Sequence, residues 1–74
     1  MKGKLAILEV RAGGRLIAKA GPREGRWHLF FTEPDGQMGA YDLGVKYGAR
    51  TPVGLGDMIQ RLVEKHAALM PTMD

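Results

Sequence analysis

Hydrophobic residues in this chain recur with two different periods, and the period changes once. Up to about Leu43, apolar and polar residues alternate in short runs broken by glycine or proline. From Leu55 onward they recur at helical spacing. Alternation places successive side chains on opposite faces of a strand, whereas the longer period lines one face of a helix. A chain with this order folds sheet first and helix last, and its helix must bury one face. The expectation is a single α+β domain over residues 1–74: a three- to four-stranded antiparallel sheet in ββββα order, with one C-terminal amphipathic helix packed on one face. Strands are expected at about 4–11, 15–20, 26–32 and 37–43, and the helix at about 55–70.

The turns decide which side chains share a face. Ala12-Gly13-Gly14, read as a three-residue turn, pairs Arg11 with Arg15. It gathers Ala6, Leu8 and Val10 with Leu16, Ala18 and Ala20, a wholly apolar face. A two-residue turn at Gly13-Gly14 would instead set Leu8 against Lys19, so the longer turn is expected. Gly21 to Gly25 reads as a loop, with glycine and proline as breakers. Glu33-Pro34-Asp35-Gly36 reads as a type I turn that pairs Thr32 with Gln37. Leu29 then faces Ala40 and Phe31 faces Met38, while His28 faces Tyr41 and Phe30 faces Gly39. Gly44 to Gly54 is not assigned beyond a bulge at Gly44 and a Thr51-Pro52 cap; Gly54 and Gly56 delay the helix to near Leu55. The helix stripe is Leu55, Met58, Ile59, Leu62, Val63, His66, Leu69 and Met70.

Chains below roughly 70–80 residues usually need a staple beyond one core. This one has 74 residues and no cysteine, which removes disulfides and thiolate metal sites and leaves self-association as the expected support. A homodimer or other homo-oligomer is the expectation. The lack of cysteine suits the cytoplasm. No stretch approaches the ~20 apolar residues of a membrane span, so no membrane partner is expected. The apolar run at the start is short and meets Glu9 and Arg11 at once, which reads as a strand and not a signal peptide.

Catalytic chemistry is sparse. Serine is absent, and Thr32, Thr51 and Thr72 have no base beside them in sequence. His28 and His66 lie in different elements, without ligand spacing around them, so neither a metal nor a cofactor is expected. The reading is of a protein that is not an enzyme. One enzyme class fits the residue types, a small ribonuclease using His28, Tyr41 and nearby arginines. Gly54-Leu55-Gly56 ahead of the helix, with Arg50 close in sequence, is a candidate contact for a single anion.

The face away from the helix carries the informative residues: Arg11, Arg15, Lys19, Arg26, His28, Phe30 and Tyr41, with Ile7 and Ile17. Eleven Lys/Arg against eight Asp/Glu leave a net charge of +3. Cations that track phosphates, interleaved with rings that stack on bases, fit single-stranded DNA or RNA. The same residues also fit a protein–protein module: an inhibitor, antitoxin-like regulator or accessory subunit of phage or plasmid type. There Ile7, Ile17, Phe30 and Tyr41 are anchors and the arginines steer an acidic protein partner. In layout, from the Glu33 turn through strand and helix to Glu64, the chain resembles the single-strand-binding transcriptional coactivators, which implies nucleic-acid binding. It departs from them between Tyr41 and Gly54, where the expected run of lysines is absent.

Overall fold

The computed structural model describes residues 7–48, 50–66 and 71–73. Strands β1 (Leu8–Ala12), β2 (Arg15–Arg23), β3 (Arg26–Thr32) and β4 (Met38–Lys46) form an open antiparallel sheet in chain order, followed by helix α1 (Leu55–His66). This is the expected ββββα arrangement. The expected strand residues 4–6 and helix residues 67–70 lie outside the described residues.

The first turn differs from expectation. Ala12 pairs with Arg15 across a two-residue Gly13-Gly14 turn. A bulge then shifts the register, so that Val10 pairs with Ala18 and Leu8 with Ala20. The extra residue on β2 restores the parity that the shorter turn would have lost. The apolar grouping of Leu8 and Val10 with Ala18 and Ala20 therefore stands, reached by another route. Ile17, expected outside, sits at the bulge and joins the core.

The second correction is at Gly21-Pro22. They do not break β2, which runs on to Arg23, with Pro22 paired to Trp27. Proline has no N–H to give to a ladder, yet Pro22 keeps its place opposite Trp27 and the strand continues through it. The turn is Glu24-Gly25 alone, with φ of 54° and 76°. Two positive φ values in a two-residue loop match the twist of the flanking strands.

The third correction is the β3–β4 register. The Glu33 carbonyl accepts from Gly36 N at 2.8 Å and the Gln37 carbonyl accepts from Glu33 N at 2.7 Å. The loop is thus Pro34-Asp35-Gly36, with Gly36 at φ 88° supplying the left-handed residue that closes a three-residue hairpin. Thr32 pairs with Met38, Leu29 with Tyr41, Phe30 with Ala40 and His28 with Asp42. A slip of one residue flips a whole strand. Tyr41 consequently lies on the helix side, while Met38 and Ala40, expected in the core, are exposed. A second irregularity lies between the Asp42 and Lys46 pairings, and Leu43 and Val45, which alternate in step with Tyr41, pack toward the core.

The core lies between one sheet face and α1. Val10, Ile17, Ala18, Ala20, Trp27, Leu29 and Leu43 meet Leu55, Ile59 and Val63 of the helix. Each aliphatic helix residue buried here is worth roughly 1.5–3 kcal/mol. Ala18 and Ala20 are fully buried, and their small size lets the helix lie close. Trp27 is the largest buried side chain among the described residues; its ring lies 4.6 Å from that of Tyr47, and its Nε1 has no hydrogen-bond acceptor among them. Leu16 is buried apart from this cluster, and its carbonyl accepts from Met73 N at 2.8 Å. Among the described residues no helix is long and apolar enough to cross a membrane.

Candidate functional site

The sheet face opposite α1 is built in rows by strand pairing. One row runs Glu9, Lys19, Phe30 and Ala40 across all four strands. The next runs Gly21, His28 and Asp42 across the last three, and Ile7 enters it from the β1 side. Gly21 leaves a shallow dip there. A Cβ on it would lie 3.5 Å from Ile7 Cγ1 and 3.9 Å from Phe30 Cε2. The two apolar side chains therefore approach each other over the bare backbone of β2. Phe30 is half-buried, while Ile7 is 59 % exposed.

His28 is 7 % exposed and is the one buried polar residue of the described set. Its ring stacks on Phe30 with centroids 6.3 Å apart and planes inclined by 22°. The Arg26 carbonyl accepts from His28 Nδ1 at 3.1 Å. A carbonyl can only accept, so this bond places a proton on Nδ1 and fixes the orientation of the ring.

Carboxylates match the cations of this face. Arg26 Nε donates to both oxygens of Asp42, at 2.9 and 3.1 Å. Asp42 Oδ1 also accepts from Gly44 N at 2.7 Å. The Gly44 bond and then the Arg26 bond hold the Asp42 carboxyl below its ordinary value. Arg11 meets Glu9 at 3.3 Å, and Lys19 sits directly opposite Glu9 in the β1–β2 ladder. Glu9 and Asp42 were not among the residues expected to define this surface. Alternation alone places Glu9 on it, whereas Asp42 comes there only through the corrected register.

The structure brings together Arg11, Lys19, Arg26, His28 and Phe30 from the expected set. Two others fall elsewhere. Arg15 pairs with Ala12, which packs toward the core, so it leaves the sheet from that side. Tyr41 stands on the helix side beside Leu29. His28 and Tyr41 are therefore on opposite faces, and the ribonuclease pairing that needs both has no geometry to support it. At the helix start Arg50, Gly54 and Gly56 are all exposed, and no interaction among the described residues draws the Arg50 guanidinium to the first turn. No group of three or more acidic or imidazole side chains converges among the described residues as a metal centre would require.

Comparison with protein-family models, curated proteins and solved structures finds no significant match to this chain.

Proposed function

We propose that this chain is a non-catalytic binding module that engages an acidic protein partner through the sheet face opposite α1, with Phe30 as the anchor. The observation that carries this reading is the pairing of the face's cations with its own carboxylates. A phosphate backbone would have to compete with Asp42 for Arg26 and with Glu9 for Arg11. Nucleic-acid grooves draw their affinity from unmatched cations. Protein interfaces instead combine a half-buried aromatic anchor with hydrogen-bonded charges at the rim. Phe30 between Ile7 and His28, bordered by ion pairs, has that composition. Lys19, Arg23 and Lys46 keep the surroundings mildly basic, which favours an acidic partner. A second copy of the chain bound through the same face is the other expected mode, and a mass measured in solution detects it. Action in the cytoplasm suits a chain without cysteine.

Site-specific photo-crosslinking tests the reading in cells that produce the protein. A photoreactive phenylalanine analogue replaces Phe30 in one variant and Gln60, on the outer side of α1, in another. A protein adduct at position 30 and none at position 60 supports the proposal. Adducts to nucleic acid at position 30, or protein adducts only at position 60, contradict it.

A further inference from the structure

On the other side of the sheet, the second half of α1 and the β3–β4 hairpin enclose a half-open cavity of about 440 Å3. Among the described residues the helix backbone comes closest to β1 and β2, away from the Phe31 and Tyr41 end of the sheet. Leu62 and Val63 form one wall, and Leu29, Phe31 and Tyr41 the other. The volume falls within the roughly 300–1,000 Å3 typical of small-molecule sites. Tyr41 is 55 % exposed and Phe31 half-buried, so two aromatic rings on the core side of the sheet are left partly bare.

Thr32, Glu33 and His66 also line it, and Glu33 is the acidic group among them. A Cβ built on Gly39 would lie 2.6 Å from the Phe31 ring and 2.9 Å from Glu33 Oε2. Ring and carboxylate therefore lie together over Gly39, where an added Cβ would have to displace them. Unlike Glu9 and Asp42, the Glu33 carboxylate has no ion pair or hydrogen bond among the described residues. An unmatched carboxylate beside aromatic rings, above an apolar hollow, is complementary to an organic cation. Charge attraction and cation–π contact hold the head, and burial of the hydrocarbon holds the body.

We propose that this cavity binds a small hydrophobic molecule carrying an ammonium group, its head at Glu33 beside Phe31 and Tyr41 and its body against Leu62 and Val63. The site lies across the sheet from Phe30, so it stands or falls independently of the partner surface.

The test is an NMR titration of the isotope-labelled full chain with phenylbutylammonium, phenylbutanol and phenylbutanoate. The ammonium compound is expected to bind most tightly, shifting resonances of Phe31, Tyr41 and Leu62 and leaving those of Phe30 and Lys19 still. Glu33→Gln should weaken it about threefold to fivefold, the scale of an exposed charge pair, and leave the alcohol unchanged. Leu62→Trp, which fills the hollow, should abolish binding of all three while the remaining spectrum keeps its dispersion. Equal affinity for the three compounds overturns the proposal, as does an absence of shifts at millimolar concentration. So does a set of contacts in the free protein showing the hollow filled by the chain's own side chains.

Discussion

Arg26 and Asp42 meet on the sheet face opposite α1, one guanidinium nitrogen reaching both carboxylate oxygens at 2.9 and 3.1 Å. The pair closes over the β4 bulge, because the same carboxylate receives the Gly44 N–H. Its folded-state pKa is therefore depressed, first by that backbone bond and then by Arg26. A depressed carboxylate adds stability above its unfolded pKa and loses it as pH falls through the folded value. Unfolding followed from neutral pH to below the ordinary aspartate range should show this loss. In Asp42→Asn the acid-side slope should flatten. The pair is exposed, so the effect is small.

Gly39 and Gly21 make opposite predictions from the same substitution. Gly39→Ala puts a Cβ 2.6 Å from the end of the Phe31 ring, which must shift toward the neighbouring hollow, so it should destabilise by about 1 kcal/mol, the low end of overpacking. Gly21→Ala meets Ile7 and Phe30 at ordinary contact distances. It should be neutral or stabilise by up to about 1 kcal/mol through the unfolded chain. Urea midpoints of the two variants check both signs.

Trp27 is buried, with no acceptor for its Nε1 among the described residues. Trp27→Ala should cost about 3–5 kcal/mol, comparable with the whole stability of a domain this small. Trp27→Phe should be much milder, because it also removes an N–H whose burial without a partner costs about 1–3 kcal/mol. Thermal unfolding followed by circular dichroism separates the two.

Glu24 holds φ 54° in the second hairpin turn, a conformation that a side chain with Cβ rarely adopts. Glu24→Asn should stabilise by up to about 1 kcal/mol, since asparagine tolerates this region better. A rise in melting temperature is the expected readout.

The sequence shows the order of elements, the helix stripe and the apolar face of the first hairpin, because each rests on a period repeated several times. What it hides is set by single residues. The bulge at Ile17 cannot be seen in alternation, since it adds one residue without altering composition. The β4 face depends on whether Gly36 lies inside the turn or after it, one position that flips Tyr41, Met38 and Ala40 together. Pro34-Asp35-Gly36 carried that information, as glycine suits the left-handed third residue of such a loop. Gly21-Pro22 reads as a break from residue type alone, although β2 continues through it to Arg23. At the candidate site, the basic and aromatic residues of β3 were legible, but their matching carboxylates were not. Asp42 comes to this face only when the register is right.

Charge matching on the face opposite α1 is tested most directly by titrating a labelled single-stranded oligonucleotide with the native chain and with the Glu9→Gln/Asp42→Asn double variant, each at two salt concentrations. The expected result is little binding by the native chain and a gain of salt-sensitive binding in the variant, in which Lys19, Arg11 and Arg26 no longer have the Glu9 and Asp42 carboxylates beside them. Tight, steeply salt-dependent binding by the native chain, left unchanged by the double substitution, would contradict it.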